Sequence, residues 1–308
     1  MVLLRYIGKR LLQSLLVVFI VTIVAFCLVR LAPGDPAVLM LGEQASEEQI
    51  AATREYYGLD KPLITQYLIY IRDLLHGDLG DSFQYKTSVA SLIRERIGYT
   101  ITLALSSATV AIVLCVPLGI AAGSHRGKPI DFFAVFFALL GQSMSVVWLA
   151  VFVIYIFSVK LGWLPAVGGE GIVMYILPSV TVGYPMAAEL TRVVRSGMID
   201  ALGEDYITAT YARGVSKFKV NSKYAFRNAA CPMITLAALT TSTHLAGSIV
   251  VETVFSIPGI GQLMYRSIGN RDYAVVQSLM VIFAIMFTLM NLLVDIVNSI
   301  VDPRISLE

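Results

Sequence analysis

The sequence predicts an all-α, polytopic membrane protein with six transmembrane helices, whose N- and C-termini both lie in the cytoplasm. Of its 308 residues, 57% are hydrophobic and only 14% are charged, whereas a soluble domain usually carries about 25% charge. The mean hydropathy of +0.76 reflects more apolar surface than a water-soluble core can hide, so the bilayer is the natural solvent. Six apolar stretches and an uneven distribution of basic residues define the helices and their orientation.

Each transmembrane helix needs about 20 mostly apolar residues, and lipid leaves backbone groups no partner outside their own segment. The first apolar stretch follows three basic residues, as in a signal peptide. It is longer than the apolar h-region of a signal peptide, however, and no A-x-A cleavage site follows it, so we expect it to remain as a transmembrane helix. The six predicted helices span residues 11–31, 99–123, 132–157, 176–198, 231–255 and 274–299.

Basic residues in the short loops set the orientation, because cytoplasmic loops carry an excess of Lys and Arg. With the N-terminus inside, thirteen basic residues face the cytoplasm and three face outward. The long segment 32–98 is left out of this count, since long loops cross the membrane largely regardless of charge. The cytoplasmic residues are Arg5, Lys9, Arg10, Arg126, Lys128, Arg192, Arg195, Arg213, Lys217, Lys219, Lys223, Arg227 and Arg304, and the outer ones are Lys160, Arg266 and Arg271.

The residues between the first two helices form one extracytoplasmic segment. Ser46, Glu47 and Glu48 precede apolar residues and predict a helix start, and apolar residues recur at helical spacing between Leu63 and Leu75. We therefore expect two or three short amphipathic helices here. The predicted organisation is an N-terminal transmembrane helix (1–31), this extracytoplasmic segment (32–98), a core of five transmembrane helices (99–300) that contains a cytoplasmic loop (199–230), and a cytoplasmic tail (301–308).

The chain carries none of the familiar catalytic or cofactor motifs. It lacks both the G-x-x-x-x-G-K-[ST] loop that holds ATP and the G-x-S-x-G motif of hydrolases. Its three cysteines have no pairing spacing and its three histidines are scattered, so neither a disulfide framework nor a metal site is indicated. No basic stripe on a soluble domain indicates nucleic-acid binding. We predict no catalytic site, metal or cofactor, and any energy must come from a partner.

The cytoplasmic loop between the fourth and fifth helices has the features of a protein-docking element. Its acidic residues favour a helix N-terminus, and a glycine can end that helix with a positive φ. Alanines three residues apart let a partner approach closely, and tyrosines are enriched at interfaces. The alternative is a membrane-surface helix held by anionic lipid. The candidate docking residues are Glu204, Asp205, Tyr206, Ala209, Ala212, Arg213 and Gly214.

Polar side chains inside the predicted fifth helix are expensive in lipid and are therefore candidates for a functional site. Thr240 and His244 lie four residues apart and share a helix face at mid-depth. Glu252 lies toward the outer end of the same predicted helix. We take these three as candidate residues of a pathway through the membrane. The alternative is a buried, neutral histidine that is hydrogen-bonded to the threonine and has only a structural role.

Short motifs recur along essentially the whole chain. They are Ala32-Pro33-Gly34-Asp35-Pro36, Gly58-Leu59-Asp60-Lys61-Pro62, His76-Gly77-Asp78-Leu79-Gly80-Asp81-Ser82, Glu204-Asp205-Tyr206 through Gly214, Arg227-Asn228-Ala229, Phe255-Ser256-Ile257-Pro258-Gly259-Ile260-Gly261, Arg271-Asp272-Tyr273 and Asp302-Pro303-Arg304. Together these motifs resemble those of permeases of the binding-protein-dependent ABC importers, in the dipeptide, oligopeptide and nickel class, which have the type I importer fold.

The resemblance implies a multi-pass protein of the inner (plasma) membrane that forms half of a pore. It would pair with a second, homologous permease, be driven by two cytoplasmic ATPases and receive substrate from an extracytoplasmic binding protein. The segment that ends at Gly214 matches the loop by which such permeases couple to their ATPases. The family's loop usually reads Thr-Ala-Arg-Ala-Lys-Gly, whereas residues 209–214 read Ala-Thr-Tyr-Ala-Arg-Gly here, and His244 stands where the family usually has an apolar residue.

We therefore interpret the chain as a non-enzymatic importer subunit for short peptides. Import of nickel, of a metal chelate or of glutathione by the same architecture is the nearest alternative. An ion-driven secondary transporter would show inverted repeats and interrupted helices at matching positions in the two halves, which we do not find. A membrane-bound enzyme would need a nucleophile or a metal cluster at the interface, and the sequence shows neither.

Overall fold

The computed structural model describes residues 2–31, 36–41, 45–56, 58–169 and 171–301, and this part of the chain is mostly helical. The motif residues 32–35 and the tail residues 302–308 lie outside the described part. The helices are α1 (Val2–Leu31), α2 (Pro36–Leu41), α3 (Glu47–Tyr56), α4 (Leu63–Leu75), α5 (Val89–Ser124), α6 (Pro129–Ser143), α7 (Val146–Val153), α8 (Val173–Leu202), α9 (Asp205–Ala212), α10 (Lys217–Lys219), α11 (Phe226–Gly247), α12 (Ile249–Val254), α13 (Ile260–Gly269) and α14 (Tyr273–Val301).

The segment 32–98, which the sequence predicts to be extracytoplasmic, contains the short helices α2, α3 and α4, in line with the two or three short helices expected there. The predicted start of α3 is confirmed by a capping box, in which the Gln49 backbone N–H donates to the Ser46 hydroxyl (3.3 Å) and the Gln49 side chain accepts from the Ser46 N–H (3.1 Å). A small antiparallel hairpin follows, made of β1 (Asp81–Ser82) and β2 (Thr87–Ser88). Two π-helical stretches complete the secondary structure, Ile154–Lys160 and Val220–Ala225.

Three helices in the described part of the chain are long and apolar enough to cross a membrane on their own, Gly8–Leu31, Val89–Ser124 and Tyr273–Ile296. The bent pair formed by Pro129–Ser143 and Val146–Lys160 would supply a fourth span. Helices α8 and α11, with 30 and 22 residues, coincide with the fourth and fifth predicted spans. Length and composition thus confirm three or four of the predicted spans, and the count of six is not confirmed.

The prediction of one continuous span over residues 132–157 is wrong. Helix α6 ends at Ser143, α7 begins at Val146, and the two halves of this region meet at an angle of 107°. Met144 and Ser145 both have extended backbone angles, with ψ of 130° and 138°, which stops the helix between two apolar segments. The helices on both sides of the break are apolar, so an apolar window cannot detect a change of direction.

The predicted fifth span is also interrupted. Helix α11 ends at Gly247 and α12 runs from Ile249 to Val254, with Ser248 between them at φ −76° and ψ 7°. The Ser248 hydroxyl donates to a carboxylate oxygen of Glu252 (2.9 Å) one turn later. Glu252 therefore lies on a different helix from Thr240 and His244, although the sequence predicts one continuous span for all three.

The core of the molecule is built around the close packing of α5 on α8. Gly119 and Gly123 lie four residues apart on α5, and a Cβ atom on Gly119 would come within 2.6 Å of the Val194 side chain. A Cβ on Gly123 would collide with the side chain of Met198. Because glycine has no side chain, the two backbones can approach more closely than ordinary residues allow, as in small-xxx-small packing.

Candidate functional site

The candidate docking segment, which the sequence predicts to be cytoplasmic, forms the short helix α9. It begins at Asp205, directly after Glu204, whose backbone is extended (φ −80°, ψ 146°), and it ends at Ala212. The prediction of a helix that starts at the acidic residues and ends before Gly214 is therefore confirmed. An acidic residue in the first turn lies near the positive end of the helix dipole, which favours this start.

Helix α9 has one buried side and one exposed side. Ile207 and Thr210 are buried, with 1% and 9% of their surface accessible, and the Thr210 hydroxyl donates to the Tyr206 carbonyl oxygen (2.7 Å). The structure thus presents the candidate docking residues together on the surface. The exposed residues are Glu204, Asp205, Tyr206, Ala209, Ala212, Arg213 and Gly214.

The buried side of α9 is packed into the main hydrophobic core. Ile207 belongs to the same cluster of buried residues as Met198 and Ala201 of α8, Val220 of the π-helical stretch and Ala229 of α11. Helix α9 packs mainly on the π-helical stretch Val220–Ala225, which in turn contacts α8 and α11.

A hydrogen bond that the sequence analysis missed fixes the orientation of α9. The Asn228 side-chain amide donates to the Tyr206 hydroxyl oxygen across 3.0 Å, which links the first turn of α9 to the start of α11. Burial, and then the nearby Glu204 carboxylate, raise the pKa of the Tyr206 phenol, so it stays neutral at physiological pH. Asn228 lies in the Arg227-Asn228-Ala229 motif. That motif was the only feature of the sequence that pointed to Asn228 as a functional residue.

Gly214 closes the segment with the positive φ that the sequence predicts. Its φ is +77°, and its N–H donates to the Tyr211 carbonyl oxygen (2.9 Å). A Cβ atom at this position would have no neighbour within 4 Å, so the requirement for glycine comes from the backbone conformation alone.

The candidate pathway residues are not brought together into one site. Thr240 and His244 lie on α11, one turn apart and both partly exposed, and the Thr240 hydroxyl donates to the carbonyl oxygens of Leu236 (2.9 Å) and Ala237 (3.1 Å) on its own helix. The structural alternative expected a hydrogen bond between Thr240 and His244. The Thr240 hydroxyl instead bonds to backbone carbonyl oxygens of its own helix. Glu252 is fully buried on α12.

Glu252 instead joins three helices. One carboxylate oxygen, Oε1, accepts from the Thr100 hydroxyl on α5 (2.7 Å), and the other, Oε2, accepts from the Gln262 N–H on α13 (2.9 Å). The Ile260 N–H donates in turn to the Thr100 hydroxyl oxygen (3.0 Å). The carboxylate thus lies at the N-terminus of α13, where unpaired N–H groups and the helix dipole favour an anion. This geometry supports a structural role for Glu252 and gives no support to the pathway role.

An ion pair between α6 and α8 was also missed from the sequence. Asp131 in the first turn of α6 is paired with Arg195 of α8, and one of its oxygens accepts from Arg195 Nη2 at 2.9 Å and from the Gly127 N–H at 2.9 Å. Arg10 of α1 also lies 3.2 Å from Asp295 of α14. Among the described residues, no group of three or more His, Cys, Asp or Glu side chains is placed to hold a metal ion.

Comparison with protein families gives two matches that together cover almost the whole chain. Residues 115–307 match the model of the binding-protein-dependent transport system inner membrane component, and residues 3–104 match the N-terminal model of the corresponding membrane component.

Curated relatives match over nearly their full length. Proteins named glutathione transport system permease protein GsiC, from Shigella flexneri serotype 5b (strain 8401), Salmonella paratyphi A (strain ATCC 9150 / SARB42) and Escherichia coli (strain K12), are each 39% identical over 302 residues, which is 98% of this chain and 99% of theirs.

Solved structures show the same fold at low sequence identity. A chain of the MetNI methionine ABC transporter in an inward-facing conformation superposes with a TM-score of 0.57 at 20% identity, and the match covers 68% of this chain and 96% of that one. A second crystal form of the same transporter gives a TM-score of 0.52 at 18% identity.

Proposed function

Because the chain belongs to the family of binding-protein-dependent transport system inner membrane components, we propose that it forms one half of a translocation pathway for short peptides. It is an inner-membrane permease subunit of an ABC importer, of the dipeptide and oligopeptide class, and its family consists of transport subunits rather than enzymes. In this proposal residues 99–300 are the permease core, and the loop 199–230 transmits force from the cytoplasm.

Glutathione is the specific cargo that the comparisons favour within this class. The curated relatives that match over 98% of this chain are named as glutathione permeases, and glutathione is itself a tripeptide. It therefore fits the proposed pathway for short peptides as one particular cargo. Nickel or a metal chelate is the remaining alternative for the same architecture.

The proposed assembly contains four kinds of subunit. A second, homologous permease completes the pathway, two cytoplasmic ATPases hydrolyse ATP, and an extracytoplasmic binding protein delivers the cargo. The family's dependence on a binding protein supports this arrangement. ATP is hydrolysed in the partner subunits, since the sequence contains no phosphate-binding loop of the G-x-x-x-x-G-K-[ST] type.

The single observation that carries the coupling role is the two-sided packing of α9. Its exposed side offers small residues, Ala209 and Ala212, for close approach by an ATPase, while Ile207 on its other side is locked into the core beside α8 and α11. A force applied by the ATPase to the exposed side of α9 is therefore transmitted through the packed core to α8 and α11. A helix held on the membrane surface only by anionic lipid would not need a side that is packed into the protein core, as Ile207 of α9 is.

Reconstituted transport tests the cargo and the energy source. The complete complex in proteoliposomes, supplied with the binding protein, should accumulate glutathione or a radiolabelled dipeptide only when ATP is present. Uptake that follows an ion gradient without ATP would instead support a secondary transporter. ATP-dependent uptake of nickel without uptake of peptides would reassign the cargo but keep the architecture.

Two substitutions in the docking segment test the coupling. Gly214→Val should abolish uptake, because a β-branched residue resists the φ of +77° at a cost of about 1–2 kcal/mol. Ala209→Arg should do the same, because its long side chain keeps the ATPase away from α9. Both variants should still insert into the membrane, and co-purification of the ATPases should be weakened.

Matched controls separate docking from misfolding. Gly214→Asn keeps a residue that tolerates positive φ, and Ala209→Ser keeps a small side chain, so both controls should retain uptake. Normal uptake in Gly214→Val and in Ala209→Arg would show that force enters the permease elsewhere.

We also propose that Thr240 and His244 line the pathway, whereas Glu252 does not. His244→Leu should change the kinetics of uptake or the range of cargo while the ATPases and the second permease still co-purify. Unchanged kinetics and cargo range in a fully assembled complex would leave His244 with a packing role only.

A further inference from the structure

A cavity of about 640 Å³ lies between the outer end of α1 and the extracytoplasmic helices. Its apolar walls include Phe26 and Leu31 of α1 together with Leu59 and Leu63, and Arg30 and Arg54 line it as well. The volume is within the range of small-molecule sites, which hold about 300–1,000 Å³. The transport pathway proposed above does not use this cavity.

The cavity is placed at the level of the outer lipid headgroups. The apolar span of α1 runs from Gly8 to Leu31. With the N-terminus inside, as the distribution of basic residues predicts, Arg30 stands at the outer end of this span, where long cationic side chains reach the interface. Helix α4 beside it has the character of an interfacial helix. Ile64, Leu68 and Leu75 lie along one side of α4 and are exposed by 77%, 62% and 80%.

A second face of α4 packs on α1 and anchors this arrangement. Tyr67 and Tyr70 contact the Phe26 ring, at centroid distances of 5.3 and 6.1 Å, and the Tyr67 hydroxyl lies 2.9 Å from that of Thr22. With one face on α1, the exposed apolar side of α4 is free to enter the bilayer.

The Arg30 guanidinium is held in a fixed orientation. Its Nε and Nη2 both donate to the Gln66 side-chain oxygen, at 3.1 and 2.9 Å, and its plane lies 3.8 Å from the centre of the Phe26 ring. The Gln66 amide donates in turn to the carbonyl oxygens of Leu59 and Lys61. A guanidinium has five N–H donors, so three remain beyond the two that Gln66 accepts. In the described part of the chain no carboxylate pairs with Arg30.

We propose that this cavity binds an anionic phospholipid of the outer leaflet, with its phosphate on Arg30 and an acyl chain along the apolar wall. Arg30 lines the cavity, and no acidic residue is among the described residues that line it, which places a positive charge at the depth of lipid phosphates. A planar guanidinium that is already oriented offers two parallel N–H groups to phosphate oxygens, the strongest common form of this contact.

Lipid retention by the purified complex tests the proposal. The complete transporter is placed in nanodiscs that contain equal amounts of phosphatidylglycerol and phosphatidylcholine, and the bound lipids are identified by native mass spectrometry after release. The wild type should retain phosphatidylglycerol preferentially. Arg30→Gln should lower its occupancy by about tenfold, because charge-assisted hydrogen bonds to the phosphate are lost.

Two further variants make the result specific. Arg72→Gln removes an exposed arginine of α4 that is paired with Asp73 at 2.8 Å, and it should retain lipid as the wild type does. Leu63→Trp fills the cavity without touching Arg30, so it should lower retention even if Arg30→Gln proves unstable.

Equal retention of the two lipids by the wild type would overturn the proposal. So would unchanged phosphatidylglycerol retention in both Arg30→Gln and Leu63→Trp. If retention is unchanged while these variants bind the extracytoplasmic binding protein more weakly, the cavity is a protein-docking site and the lipid proposal is wrong.

Discussion

At the scale of single residues, Glu252 shows how a buried carboxylate can organise several helices. An acid in an apolar stretch is expensive unless its oxygens are hydrogen-bonded, and here hydroxyl and backbone donors from α5, α13 and the break at Ser248 meet at its two oxygens. The Pro258-Gly259 turn brings the N-terminus of α13 back over the carboxylate. The motif around this turn therefore has a structural explanation in the group that it covers.

We expect Glu252→Gln to destabilise the protein by about 1.5–3 kcal/mol, the usual contribution of hydrogen bonds to a charged group. The amide of glutamine places a donor where one carboxylate oxygen accepted, and it removes the charge at the start of α13. The measurement is the apparent melting temperature of the detergent-purified subunit. Thr253→Val on the same helix is the control, because its hydroxyl donates to the Ile249 carbonyl oxygen on its own helix. An unchanged melting temperature in Glu252→Gln would refute the structural role.

At the scale of elements, the outer hairpin is joined to the last transmembrane helix by a buried contact. The Ser82 hydroxyl on β1 donates to the Asp272 carboxylate just before α14, and it accepts from the Tyr85 N–H (2.9 Å). Ser278 of α14 also donates to the Leu79 carbonyl oxygen (3.1 Å). Burial, opposed by the hydrogen bond from Ser82, raises the pKa of Asp272. The hairpin and α14 should therefore move as one unit.

Ser82→Ala should loosen the hairpin, because it leaves the buried Asp272 carboxylate without its hydroxyl donor, at a cost of about 1–3 kcal/mol. The expected result is faster cleavage between residues 81 and 88 by protease added to right-side-out vesicles. Asp81→Asn, which changes an exposed neighbour, should leave the cleavage rate as it is. Equal rates in the two variants would mean that the contact does not hold the hairpin.

Local features of the elements were predictable and distant contacts were not. The start of α3 at Glu47 and the end of α9 before Gly214 follow from nearby residues alone, through a capping box and a positive φ. The contacts Ser82–Asp272 and Asp131–Arg195 join residues that are 190 and 64 positions apart in the sequence. The residues around one partner do not indicate which distant residue it will contact. The bend at Met144 and Ser145 was missed because hydropathy indicates whether a segment can lie in lipid, but it does not indicate whether the helix changes direction.

At the scale of the whole molecule, the bias of thirteen basic residues against three predicts the orientation, and a labelling experiment can check it. A single cysteine at position 47 should react with a membrane-impermeant maleimide added to intact, right-side-out cells, and one at position 219 should not. Native Cys27 is exposed on α1, so the background should carry Cys27→Ala. Permeabilised cells provide the control, because position 219 should then react. Labelling of position 219 in intact cells would contradict the orientation.

The glycine contacts between α5 and α8 also set how motion can spread. With 30 residues, α8 is about 45 Å long. Two internal prolines, Pro178 and Pro185, remove hydrogen bonds from it, and the close glycine contacts with α5 brace it on one side. If the pair pivots near one end, a tilt of about 5° sweeps the far end through about 4 Å. Because α9 follows α8 directly in the chain, a small angular change at α9 would displace the far end of α8 by this distance.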